Sequence, residues 1–159
     1  MTLGKKIQLR LNFLIRVTRK QCQHLLITDQ RLFEQPFTYE RAQSLDADLD
    51  LAERVEAFVS RFGRLQDTVG DKLLPALLIV LGEKPGAVID NLDRAERLGF
   101  LESADKWITI RQLRNQMIHE YVEDLEILTH ALQTGHAFVP ALAAIANKMI
   151  AEAEQRIKD

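Results

Sequence analysis

A single cysteine, Cys22, stands in 159 residues, which excludes an intrachain disulfide or a cysteine-rich zinc site and is compatible with a reducing cytoplasm. Seven glycines and four prolines are too few for a fibrous or low-complexity chain. The longest apolar run, Leu73 to Leu81, covers nine residues and contains Pro75, so no membrane-spanning segment is expected. Near the start, Arg10, Asn12, Arg16 and Arg19 interrupt every apolar stretch, and no signal-peptide core forms. A positive surplus is missing as well. With a net charge of −2 and a pI near 6.1, the chain does not announce broad nucleic-acid binding, so any RNA contact must be local. No glycine-rich phosphate loop, nucleophile elbow or pair of catalytic carboxylates occurs. Asp90, Asp93, Glu96 and Glu102 are spaced for a solvated helix face, and His24, His130 and His136 form no ligand pattern with them. Neither a metal nor a cofactor is expected.

What is present is helical periodicity. Hydrophobic residues make up 47% and charged residues 28%, the balance of a soluble all-α chain, and the length suffices for one domain, residues 1–159, with a core that needs no staples. Ile7, Leu11, Leu14, Ile15, Thr18, Cys22, Leu25 and Leu26 mark a first helix from residue 5 to about 28, ending near Thr28 and Asp29. A short piece over 30–33 and a connecting loop around Pro36 follow. Acids at Asp46 and Asp48 open a second long helix carrying Leu49, Val55, Phe58, Phe62, Leu65 and Val69 on one face. Gly70 and Pro75 predict a kink or break in its extension toward Leu81. A shorter helix over 87–98 is expected to turn Val88, Ile89, Leu92, Ala95 and Leu98 inward and to stop at Gly99 in a left-handed position. Ser103 caps the next helix, and a last one runs from about Leu125 to Ile157, kinked or divided by Pro140. Four or five helices with short connections predict an up-and-down bundle.

The stretch that stands apart is Arg111 to Tyr121, R-Q-L-R-N-Q-M-I-H-E-Y. At about 100° per residue, Trp107, Ile110, Leu113, Met117, Ile118 and Tyr121 share one face, and Arg114 falls in the middle of it. An unpaired arginine there costs several kcal/mol, so Arg114 must meet a buried acid, a water-filled cleft or an anionic ligand. Asp67 and Asp71, four apart in the second long helix, are candidate partners. Asn115 and His119 lie at the border of the face. The plain alternative for Arg114 is a structural ion pair or a snorkelling side chain, and for His119 a satisfied surface group.

Arg114, Asn115, His119 and Tyr121 form R-N-x-x-x-H-x-Y, which resembles the R-x-x-x-x-H-x-Y motif of the HEPN superfamily, in particular the HepT-like toxins. The string FVSRFGRLQDTVGDKLLPALL, the segment IDNLDRAERLGF and a tryptophan before the motif are similar to the same family, over roughly residues 50 to 135. The resemblance implies a helical bundle that forms a two-fold homodimer with the motif helices of two chains at the interface. It also implies a metal-independent endoribonuclease toxin of a type VII-like toxin–antitoxin pair, paired with an MNT-type nucleotidyltransferase antitoxin. In that reading His119 is the general acid/base and Arg114 binds the scissile phosphate. Asn115 supports phosphate or His119, and Arg111 adds local positive charge. Tyr121 is the implied acceptor of the AMP groups that silence the toxin.

The chemistry agrees with the residue types. Imidazole shuttles a proton near neutral pH, guanidinium stabilises charge on phosphorus, and RNA brings its own 2′-OH nucleophile. On one ideal helix, however, Arg114 and His119 lie about 140° apart, so one copy does not aim both at one phosphate. A two-fold axis near the motif supplies Arg from one chain and His from the other. The reading from another class is a non-catalytic accessory subunit that presents a surface to a nucleotidyltransferase. Against it stands the intact set of Arg114, Asn115, His119 and Tyr121, since an adaptor need not keep an arginine in an apolar stripe; a purely structural helical dimer, the third reading, leaves Arg114 unexplained.

Overall fold

The computed structural model describes residues 3–158, except that the side chains of Leu3, Glu120, Tyr121 and Val122 lie outside the described residues. Seven α-helices follow one another: α1 (Leu3–Leu32), α2 (Tyr39–Gln43), α3 (Leu49–Asp67), α4 (Leu74–Val80), α5 (Val88–Arg97), α6 (Ala104–Glu123) and α7 (Leu125–Lys158). A π-helical turn, Thr68–Leu73, joins α3 to α4, so these two form one rod, and the described residues make six rods rather than the four or five expected. No strand occurs among the described residues.

Cross-helix contacts fix the directions of the four long rods. Asp29 and Arg19 of α1 reach His136 and Glu154 of α7, so these two run antiparallel. Residues 107, 111 and 114 of α6 meet residues 66, 71 and 67 of the α3 rod, with 111 and 114 pairing in descending order, which makes that pair antiparallel too. Lys106 lies over Phe138, and Lys148 of α7 bonds the Gly99 carbonyl just before α6, so α6 and α7 are antiparallel. The result is an up-down-up-down arrangement with α2 and α5 as short additions. Between the rods, Leu11, Leu25, Phe58, Phe62, Leu77, Trp107, Leu132 and Leu142 are buried almost completely. Each such side chain contributes about 1.5–3 kcal/mol of transfer free energy. Cys22 belongs to this core, and desolvation pushes its thiol pKa up.

Several ends follow from capping chemistry. Asp48 Oδ1 accepts from Leu51 N at 3.1 Å, Ser103 Oγ from Lys106 N at 3.0 Å, and Asp124 Oδ1 from the amides of Glu126 and Ile127. Gly99 takes φ +85°, the left-handed value that closes α5. Other boundaries differ from expectation. Helix α1 runs four residues past Thr28, because Leu32 is fully buried and its packing outweighs the polar residues before it. Thr38 caps a short helix, α2, that hydrophobic periodicity does not reveal. Gly70 and Pro75 do not break the second rod. Pro75 has no amide hydrogen and its ring crowds the carbonyl four residues back; the wider π turn accommodates both before α4 resumes. Helix α7 passes through Pro140 undivided. In α5 only Leu92 and Ala95 of the expected inward set are buried, while Val88, Ile89 and Leu98 are exposed. Buried Asn91 turns inward with them, exchanging hydrogen bonds with Gly86 N at 2.8 Å and Gly86 O at 3.2 Å. That bracket holds the loop before α5 and fixes which side faces the core.

Candidate functional site

Helix α6 is anchored along its inner face. Trp107, Ile110 and Met117 are buried, and buried Gln66 of α3 donates Nε2 to the Trp107 carbonyl at 3.2 Å. Close approach is possible because the facing rod is small at two points. A Cβ at Gly70 would lie 3.1 Å from the Trp107 ring, and one at Gly63 would lie 2.9 Å from Arg114 Nε. Gly63 therefore forms the seat against which the Arg114 side chain lies.

One helical turn beyond that seat is Asp67. Its Oδ1 accepts from Arg114 Nη1 at 2.6 Å, a charge-assisted bond that answers the cost of an arginine in an apolar stripe. A further turn on, Asp71 takes Arg111 in a bidentate pair at 3.1 and 3.2 Å. Arg111 Nη2 also lies 3.8 Å from Asp67 Oδ1, so the two arginines and two aspartates form one ladder across the α3–α6 seam. The candidate partners are thus the actual ones, with Asp67 on Arg114 and Asp71 on Arg111.

Beside this ladder a cleft of about 460 Å³ opens to solvent between α3 and α6. Val59, Gly63, Met117 and Ile118 supply its apolar wall, and Glu56, Arg64, Asp67 and Arg114 its charge. The Arg114 side chain keeps a quarter of its surface exposed and reaches this space. Ile118, expected to be buried with Met117, is 52% exposed. It forms cleft wall instead of core, opposite Glu56 and Val59 of α3.

The remaining motif residues are distributed differently. Asn115 and His119 are exposed on α6, and neither lines the Arg114 cleft among the described residues. One chain therefore brings together Arg111, Arg114, Asp67 and Asp71 but leaves His119 outside the group, as the angular separation on the helix predicts. The Tyr121 side chain lies outside the described residues. Among the described residues no cluster of three His, Cys, Asp or Glu side chains comes together that could hold a metal ion. No helix among them is long and apolar enough to cross a membrane. Gly63 escapes a reading of the sequence, although its spacing of four from Asp67 and eight from Asp71 on one helix face is visible there. No family model, curated protein or solved structure matches the chain.

Proposed function

We propose that the chain is a metal-independent endoribonuclease of the HEPN type, a HepT-like toxin that acts as a two-fold homodimer. The observation that carries this reading is Arg114. It is held by a glycine seat at the wall of an open cleft, five residues before an exposed histidine on the same helix. A guanidinium at the edge of a cleft is the kind of group that binds a phosphodiester, and this supports the reading.

The reaction needs no group beyond these side chains and the substrate. The ribose 2′-oxygen attacks the adjacent phosphorus while His119 takes the 2′ proton. Arg114 stabilises the extra negative charge on the non-bridging oxygens. The bond from phosphorus to the 5′-oxygen breaks, and the leaving oxygen receives a proton from an imidazolium. The products are a 2′,3′-cyclic phosphate and a 5′-hydroxyl. A two-fold pairing through the exposed end of α6 brings His119 of one copy to Arg114 of the other. Asn115, on the exposed side of the same helix, orients the phosphate or the imidazole, and Arg111 adds positive charge at the seam. In this reading an MNT-type nucleotidyltransferase partner silences the enzyme by AMP transfer to Tyr121, since added phosphate charge next to Arg114 repels RNA.

A second reading, the non-catalytic accessory subunit of a nucleotidyltransferase, is favoured by one observation: Asp67 already neutralises Arg114. Activity separates the two. In EDTA, with mixed cellular RNA, the unmodified dimer is expected to produce cyclic-phosphate ends. Arg114→Ala and His119→Ala, each verified as folded, are expected to lose roughly 100-fold or more in rate. A wild type that is dimeric, free of AMP and inert on RNA would transfer the assignment to the accessory reading.

A further inference from the structure

We infer that Asp67 is an internal competitor for the phosphate seat, so that an RNA phosphate in the α3–α6 cleft binds Arg114 against the charge of the Asp67 carboxylate. The inference rests on the ribonuclease reading and adds to it the residue that sets the affinity of the site.

The geometry is specific. The Arg114 guanidinium has little room to retreat toward α3, because its Nε lies 2.9 Å from the place a Cβ on Gly63 would take. Its Nη1 is occupied by Asp67 Oδ1 at 2.6 Å, at the edge of a cleft that both residues line. Nη1 keeps a second N–H, but a phosphate oxygen bound to it would lie close to the carboxylate oxygen, and the two negative groups would repel at such separation, which favours departure of Asp67. Asp67 has a second seat within reach. Its Oδ1 already lies 3.8 Å from Arg111 Nη2, so a small rotation keeps it in contact with a cation after it leaves Arg114. Asp71 does not compete in the same way, because its two oxygens are spent on Arg111. Together the two aspartates cancel the two arginines, and the closed ladder has no net charge to offer a polyanion. An incoming phosphodiester supplies the charge that Asp67 supplies in its absence.

A purely structural Asp67 would behave in the opposite way. Removing its charge would loosen Arg114 and weaken ligand binding.

The test uses the full-length protein and a single-stranded 2′-O-methyl oligoribonucleotide, which lacks the attacking hydroxyl and therefore reports binding alone. Affinity is measured by fluorescence anisotropy at two salt concentrations for the wild type, Asp67→Asn, Asp67→Ser and Asp71→Asn, with thermal melts to select folded material. Both Asp67 variants are expected to bind about tenfold more tightly at low salt, with the gain shrinking as salt rises, and Asp71→Asn to gain less. Adding Arg114→Gln to Asp67→Asn is expected to erase the gain. Unchanged or weaker binding by the folded Asp67 variants, with the wild type binding measurably, overturns the competitor role and leaves the ribonuclease reading standing. Binding by none of the folded proteins overturns both.

Discussion

Two acid–base contacts of nearly equal length tie this bundle together, and their surroundings separate them. Asp67 Oδ1 meets Arg114 at 2.6 Å between α3 and α6, and Asp29 Oδ1 meets His136 Nδ1 at 2.7 Å between α1 and α7. The His136 ring is stacked on Phe33 with centroids 4.0 Å apart, and Phe33 in turn stands edge-on to Phe58 at 5.2 Å. That contact continues inward into the core. Both pairs border open clefts, but the Asp67 pair has a glycine behind it where the His136 pair has aromatic rings. Similar bond length therefore does not imply equal role: aromatic packing behind His136 makes that pair a fastening between helices, whereas Arg114 lies against a bare glycine.

The largest effect that sharpens this contrast is catalytic, the loss of RNA cleavage in Arg114→Ala with the fold retained. Next is Gly63→Ala, which puts a methyl group 2.9 Å from Arg114 Nε and forces the guanidinium off its seat. Once alanine's helix advantage over glycine is subtracted, a net stability loss of about 0–2 kcal/mol in urea unfolding is expected, together with weakened RNA binding. A Gly63→Ala protein with full stability and normal binding would show that the seat is not needed. Smaller again is His136→Ala. It removes a half-exposed hydrogen-bond partner and a stacked ring, for an expected loss of about 1 kcal/mol in the same assay. RNA binding per folded molecule should stay at the wild-type level. If it falls as far as in the Gly63 variant, the two contacts are not functionally separate.

Much of this division is legible in the residues and some is not. The all-α class, the caps at Asp48 and Ser103 and the stop at Gly99 follow from local chemistry that acts within a few residues. The partnership of Arg114 with Asp67 is legible because an arginine in an apolar stripe demands an acid, and two acids stand one turn apart. Gly63 is invisible for the opposite reason. A missing side chain carries no signal until the residue that fills its space is known. Burial at Ile118, Val88 and Ile89 differs from expectation because periodicity reports which side of a helix is apolar but not which residues on that side a neighbouring element covers. The π turn likewise depends on accommodating Pro75 and on the meeting of Gly70 with Trp107, a contact between distant segments.

The central claim is that Arg114 of one chain and His119 of another build one RNA-cleaving site. It is tested most directly by mixing the two inert variants, Arg114→Ala and His119→Ala, under conditions that allow subunits to exchange. Each mixed dimer then carries one site with both wild-type side chains. The account predicts that cleavage returns to roughly a quarter of the wild-type rate after random exchange of two-fold dimers. A mixture that exchanges subunits and stays as inert as either variant alone, while the wild type cuts, would contradict it.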